Sequence, residues 1–215
     1  LMCLPHAQAV TYWEPITDYN YIVDGTPLHP NINDGLTASN VSVGSLTVKS
    51  DGSISGGGSG SSAVSIAGSL LSGSITNSGL IDGLNSGVDI SNSAIAGNII
   101  NSGSIRVGGT GLSISNSNLS GAIVNSGTIS GSGVDSGIVL MGGSSLNGGI
   151  LNTGVVSGGV SGNGILLNNA SVFNSILNDG SISGGNVGIS LGNVSTVSDG
   201  MHNHGARSEE HTSEL

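Results

Sequence analysis

The apolar residues of this chain recur at fixed distances from a repeated glycine. The motif is clearest at residues 101–105, which read Asn-Ser-Gly-Ser-Ile, and again at residues 125–129. Its glycines stand at positions 52, 79, 103, 127, 154 and 180, so successive copies are 27, 24, 24, 27 and 26 residues apart. A period of 20–50 residues is typical of solenoids and other repeat arrays. The chain is therefore predicted to be a stack of similar coils.

Three positions of each repeat keep their chemical character from copy to copy. The position two residues after the glycine is filled by Ile81, Ile105, Ile129, Val156 and Ile182. The position four residues before it is filled by Ile75, Ile99, Ile123, Ile150 and Ile176. The position two residues before it is filled by Asn77, Asn101, Asn125, Asn152 and Asn178. We expect the aliphatic rows to be buried ladders and the asparagines to bond amide to amide between coils, a structural role.

Alternation of apolar and polar residues within each repeat predicts strands rather than helices. A further strand in each coil reads Gly-apolar-x-apolar, as in residues 111–114. Helices need apolar spacings of three and four, and the glycine content disfavours them. Parallel crossover connections are right-handed. We therefore predict an all-β, right-handed parallel β-helix of about six coils of 24–27 residues, with three short strands per coil.

The two ends of the chain differ in composition from the repeats. Residues 1–9 resemble the remnant of a signal peptide, because 7–9 read Ala-Gln-Ala after an apolar stretch. Residues 10–40 hold most of the aromatic residues and prolines and are predicted to be an N-terminal cap or lead-in. Residues 41–200 are predicted to be the β-helix domain. Residues 201–215 are predicted to be a disordered or artefactual tail, since the last nine resemble a translated sequencing adapter.

Composition and charge exclude several classes of partner. The chain has 215 residues, a net charge of −10 and only three Lys and Arg residues. Nucleic-acid binding needs a basic face, and none is expected here. A polybasic membrane patch is equally lacking, so direct membrane insertion of this part of the chain is not predicted.

Candidate chemistry in the repeats is sparse. Catalytic β-helices need clustered carboxylates on adjacent strands, but the aspartates at 51, 82, 89, 135, 179 and 199 occupy different positions of the repeat, except for 51 and 179. Gly131–Asp135 resembles half of a calcium-binding nonapeptide, once. His202 and His204 lack further zinc ligands. We therefore predict no enzyme activity, no cofactor, and no catalytic, cofactor-binding or metal-binding residue.

One corner of the predicted solenoid carries insertions. The third strand begins 8 residues after Gly79, Gly103 and Gly180, but 10 residues after Gly127 and Gly154. Insertions confined to one face of a repeat protein often mark the binding face. This corner is therefore a candidate binding face.

The repeat pattern resembles the passenger repeats of bacterial autotransporters, the type V secretion proteins of Gram-negative bacteria. Residues 69–191 carry the resemblance strongly, through Asn-Ser-Gly-x-Ile-x-Gly, Gly-Ile-x-Leu and Ser-x-Leu-x-Gly-x-Ile, and residues 41–68 carry it weakly. The resemblance implies a signal peptide, an extracellular β-helix at the cell surface, and an outer-membrane barrel that tethers it in the full-length protein. No residue here matches a passenger protease motif.

These observations leave three functional hypotheses. The first is a non-enzymatic, surface-exposed passenger fragment, a stalk or adhesin that contributes to adhesion or biofilm and meets host or bacterial surface molecules. The second is a carbohydrate-active β-helix lyase or hydrolase whose active coils are missing. The third is a self-associating structural filament, for which end-to-end contact through an open coil edge is the expected geometry.

Overall fold

The chain folds into three parallel β-sheets that surround one apolar core. The computed structural model describes residues 11–12, 20–27, 31–56 and 61–207, and every regular element among them is a strand. The strands pair in parallel with their equivalents one coil away. The result is a β-solenoid of about seven turns with three strands per coil, which confirms the predicted fold class.

The strands are short because the sequence alternates over only a few residues before a turn. In Ile99–Asn101, for example, the outer two side chains are buried and the middle one faces outward. Glycine, serine and asparagine follow at once and end the strand. Each coil is thus a triangle of short strands whose inward side chains fill the interior.

Three sheets form the sides of the solenoid. Sheet 1 consists of Thr11–Tyr12, Leu36–Ser39, Ser42–Val43, Val64–Ala67, Leu70–Leu71, Ser86–Ser91, Ala94–Ile95, Thr110–Ser115, Asn118–Leu119, Ile138–Leu146, Ile165–Val172, Ile189–Gly192 and Thr196–Val197. Sheet 2 consists of Tyr21–Val23, Leu46–Val48, Ile75–Asn77, Ile99–Asn101, Ile123–Asn125, Ile150–Asn152, Ile176–Asn178 and Met201–Asn203. Sheet 3 consists of Ser53–Ser55, Leu80–Gly83, Ser104–Val107, Thr128–Ser130, Val155–Ser157, Ser181–Ser183 and Ala206–Arg207.

The core is built from rows of aliphatic side chains that stack from coil to coil. The row on sheet 3 contains Ile54, Ile81, Ile105, Ile129, Val156 and Ile182. The row on sheet 2 contains Leu46, Ile75, Ile99, Ile123, Ile150 and Ile176. All of them are at most 1% exposed. Full burial of such a side chain is worth about 1.5–3 kcal/mol, so these rows supply much of the stability.

Parallel pairing begins before residue 41, within the segment predicted to be a cap or lead-in. Tyr21–Val23 pairs with Leu46–Val48, and Leu36–Ser39 pairs with Val64–Ala67. The side chains of Val23 and Leu36 are fully buried in the common core. Residues 20–27 and 31–40 therefore contribute strands to the solenoid in addition to any capping role.

Parallel pairing also continues beyond residue 200, into the segment predicted to be a disordered or artefactual tail. Met201–Asn203 pairs with Ile176–Asn178, and Ala206–Arg207 pairs with Ser181–Ser183. The reason is visible in residues 201–205, which read Met-His-Asn-His-Gly and repeat the apolar-x-Asn-x-Gly pattern. The predicted signal-peptide remnant at 1–9 and most of the adapter-like segment lie outside the described residues.

Sheet 1 bends at one corner, where one residue of each successive coil has a left-handed backbone conformation with positive φ. Asn92 has φ 49° and Asn116 has φ 48°, and Gly142 stands at the equivalent place in the next coil with φ 68°. Asparagine and glycine adopt this conformation more readily than other residues. The corner therefore explains a second series of recurring asparagines, at positions 40, 92, 116, 169 and 193.

Candidate functional surfaces

The predicted asparagine row lies inside the solenoid, on sheet 2. The amide nitrogen of Asn101 donates to Oδ1 of Asn125 at 2.8 Å and to the carbonyl of Thr128 at 3.0 Å. The same bond links each neighbouring pair in the row, from Asn77 to Asn203. The members from 77 to 178 are at most 1% exposed. Such buried and fully engaged amides stabilise the stack, and they are closed to ligands.

A second polar row is made of buried serines beside the left-handed corner, and sequence reasoning missed it. The backbone N–H of Ser69 donates to Oγ of Ser93 at 3.0 Å, and Ser93 N–H donates to Oγ of Ser117 at 3.0 Å. Ser117 N–H continues the row to Oγ of Ser144 at 3.2 Å. The repeated Ser-Asn-Ser at 91–93 and 115–117 could have indicated it.

The carboxylates of the repeats lie on separate faces. Asp82 is on sheet 3, in register with Arg106, whereas Asp89 is on sheet 1 and Asp179 is in the turn after sheet 2. Within the described ranges, no three His, Cys, Asp or Glu side chains come close enough to hold a metal ion. Asp82, Asp89 and Asp179 are therefore not brought together.

One polar pocket on sheet 1 does bring two aspartates into a common lining. The pocket has a volume of about 300 Å³ and is lined by Asp34, Asp89, Asn85 and several Ser and Thr residues. Burial raises the pKa of Asp89, and a hydrogen bond with the Ser113 hydroxyl opposes that rise. Sequence reasoning did not pair these aspartates, because they stand 55 positions apart and at different places in their coils.

The two histidines near residue 200 make separate contacts. His204 Nδ1 lies 3.0 Å from Oδ1 of Asp179, and His202 Nε2 lies 3.1 Å from the carbonyl oxygen of Asp199. The Asp179–His204 pair has a counterpart at the other end of sheet 2, where Lys49 Nζ lies 3.2 Å from Oδ2 of Asp24. The pKa of Asp24 is lowered to about 2, mainly because it accepts hydrogen bonds from the hydroxyl and the N–H of Thr26. Lys49 adds to this lowering.

The insertion corner forms an open groove. Residues 131–133, 158–160 and 183–185 line a volume of about 520 Å³, and most of them are glycine. Val134 and Val160, which the insertions carry, are 74% and 83% exposed. Asp135, in the half-nonapeptide, is within 3.4 Å of the Thr110 hydroxyl. The predicted binding face is therefore a shallow surface of backbone and exposed valine.

Sheet 2 presents an apolar stripe on its outer face. Its strands are three residues long in most coils, so each exposes only its middle side chain. In four successive coils that residue is Ile100, Val124, Leu151 or Leu177, stacked in register and partly exposed. We call these four side chains the apolar stripe. Sequence reasoning missed them, because it followed the inward positions of the repeat.

Comparisons with known proteins returned no match. A scan against protein-family models finds no family for the chain, and searches of curated proteins and of solved structures find no similar protein. In the part of the chain that the structure describes, no helix is long and apolar enough to cross a membrane.

Proposed function

We propose that the protein is a non-enzymatic stalk or adhesin, a surface-exposed passenger of the autotransporter kind. The observation that carries this proposal is the uninterrupted stacking of about seven turns around continuous ladders. The repeat motifs that resemble autotransporter passengers supply the stacked residues, among them Asn101 and Ile105. This proposal places the protein outside the cell, at the surface, and tethered by an outer-membrane barrel in the full-length protein.

The outer surface suits contact with other surfaces rather than chemistry. Each coil contacts mainly its neighbours, so the stack behaves as a rod whose stability grows with the number of repeats. Its outward positions are dominated by serine, threonine, asparagine and glycine, and only 7% of the chain is charged. Such a rod can hold weak binding sites at a distance from the membrane. Its partners are then host or bacterial surface molecules.

Surface display tests this proposal. The chain is fused to an outer-membrane barrel in a non-adherent Gram-negative strain, and attachment to epithelial cells and to plastic is counted. We expect more attachment than with the barrel alone or with an Ile105→Asp chain, which loses a buried ladder residue. Equal attachment, with the chain shown by protease accessibility to be on the surface, would contradict the proposal.

The polar pocket favours a second candidate, a carbohydrate-active enzyme. Glycoside hydrolases use two carboxylates, one of which has a raised pKa and acts as the acid. Asp34 and Asp89 line one pocket, and burial raises the pKa of Asp89. Pectin, alginate and hyaluronan are the test substrates, with release of reducing ends or unsaturated sugars as the readout. Activity that Asp89→Asn abolishes and Asp199→Asn retains would replace the first proposal with this one.

A further inference from the structure

The apolar stripe runs along the solenoid axis in the middle of sheet 2. Ile22, Thr47 and Thr76 continue the row on one side of the four stripe residues, and His202 continues it on the other. The outer face of this sheet is thus a single file of eight side chains. Its centre lies between Ile100 and Val124, the fourth and fifth positions.

A second row runs beside the stripe, one residue beyond the end of each strand. Backbone hydrogen bonds place its members in adjacent coils: Lys49 N–H donates to the Val23 carbonyl, and His204 N–H donates to the Asn178 carbonyl. In chain order, this flanking row contains Asp24, Lys49, Ser78, Ser102, Ser126, Thr153, Asp179 and His204. Its ionisable groups occupy the two ends, and hydroxyl residues fill the middle.

We propose that two copies of the chain pair face to face through sheet 2, with their solenoid axes antiparallel. The two-fold axis lies in the interface, along the strand direction, and passes between Ser102 and Ser126. Apolar side chains then cover one another, with Ile100 opposite Val124 of the second copy. Packing of this kind removes apolar surface from water, which is the main driving force for association.

The charges of the flanking row select this orientation. The two-fold operation turns the row end for end, so that Lys49 stands opposite Asp179 of the second copy. Asp24 stands opposite His204 of the second copy, and both contacts occur twice by symmetry. A parallel pairing would instead set the flanking row against the residues that precede each strand, with Lys49 opposite Ser45 and Asp179 opposite Ser175 of the second copy, both uncharged. Complementary charge of this kind fixes orientation and register.

The other faces of the solenoid are less suited to self-pairing. Asp82 lies on sheet 3, Asp89 lies on sheet 1, and Asp135 lies in the insertion corner. The whole chain has a net charge of −10, so most contacts between two copies bring like charges together. Sheet 3 also carries an exposed cation, Arg106, beside Asp82. The sheet 2 face is distinguished by its four stacked apolar side chains together with Lys49, whose side chain is 53% exposed. This inference concerns contact between two copies and does not depend on the proposed adhesive function.

Mixing two charge variants of the full chain tests the pairing. Lys49→Glu and Asp179→Lys each place like charges opposite one another in a homodimer, so each alone should dimerise about tenfold more weakly than the parent chain. In a mixture, the carboxylate introduced at position 49 of one variant would face the amine introduced at position 179 of the other. The parent pair Lys49–Asp179 would form at the second contact. Sedimentation velocity over a concentration series should therefore show a larger dimer fraction in the mixture than in either variant alone at the same total concentration.

Variants of the stripe provide an independent measurement. Ile100→Lys places a charge at the centre of the interface, on an outward position, and should abolish the dimer without unfolding the chain. Ser113→Lys, on the outer face of sheet 1, is the matched control and should leave the dimer unchanged. Circular dichroism and thermal unfolding confirm that all four variants are folded. A parent chain that stays monomeric at its highest soluble concentration, or a mixture no more dimeric than its components, would overturn the proposal.

Discussion

The serine row shows how the residue type at one position is constrained by hydrogen bonds with the adjacent coils. Each serine hydroxyl accepts a hydrogen bond from a backbone N–H of the preceding coil. It also donates to a carbonyl two or three residues earlier in its own coil, as Ser117 does to Ser115 at 2.7 Å. Ala170 occupies the next position after Ser144 and interrupts the row. The row then resumes, because Ala170 N–H donates to Oγ of Ser195 at 3.3 Å.

Ala170→Ser should therefore stabilise the protein. The new hydroxyl would accept a hydrogen bond from Ser144 N–H and donate one to a carbonyl of its own coil, as the other serines of the row do. A hydrogen bond of this kind contributes about 1 kcal/mol. Urea unfolding monitored by circular dichroism measures the change, with Ala94→Ser, a partly exposed position of sheet 1, as the control. A destabilised Ala170→Ser chain would show that the site is too tightly packed for an oxygen atom.

At the scale of the strand, stability comes from stacking rather than from the strand itself. Strands of two to four residues are too short to persist alone in water. Ile105 belongs to a four-residue strand, Ser104–Val107, and is buried between Ile81 and Ile129 of the adjacent coils. One ladder residue thus supports three coils, and a polar group at its position affects all of them.

Ile105→Asp should disrupt the coils on both sides. A buried carboxylate without a partner is among the most costly substitutions, and we expect a loss of more than about 4 kcal/mol. Ser104→Asp, which introduces the same group one residue earlier on the outward side, should change stability by less than about 1 kcal/mol. Thermal unfolding compares the two. Equal melting temperatures for both variants would contradict the assignment of Ile105 to an inward position and of Ser104 to an outward one.

The sequence allowed the strands to be predicted wherever the inward positions repeat. The rows through Ile105 and Ile99 have the same residue types in nearly every coil, because each must fill the same interior space. Tyr21–Val23 and Leu36–Ser39 were not predicted as coil strands, since aromatic residues and prolines obscure the pattern around them. Met201–Asn203 was not predicted as a strand, because the different composition of residues 207–215 was given more weight than the apolar-x-Asn-x-Gly pattern of residues 201–205.

The candidate surfaces were harder to predict, for a physical reason. Outward positions are not constrained by a common core, so the row that contains the apolar stripe varies between isoleucine, valine, leucine and threonine. Serine is abundant at many positions, which hides the buried row that contains Ser93 and Ser117. The Asp34–Asp89 pocket joins residues from different coils, and its composition gives no periodic signal.

At the scale of the whole molecule, the solenoid is a linear assembly of interchangeable coils. Ser102–Asn125 is one complete coil of 24 residues, and its removal would join Asn101 directly to Ser126. Every row would then remain continuous, since Asn101 would stack on Asn152 and Ile81 on Ile129. The molecule would shorten by one coil, about 4.8 Å, without any inward residue becoming exposed.

Deletion of residues 102–125 should therefore leave a folded protein, whereas deletion of residues 102–113 should not. The shorter deletion removes half a coil, so the strands that follow would meet the wrong sheet and turn their apolar residues out of register. The full-coil variant should keep the circular dichroism spectrum of the parent and unfold at a lower temperature, because the stability of a repeat array falls with each lost interface. The half-coil variant should lose cooperative unfolding. If both deletions behaved alike, the 24-residue coil would not be the unit of stacking, and the sequence repeat would not correspond to a structural repeat.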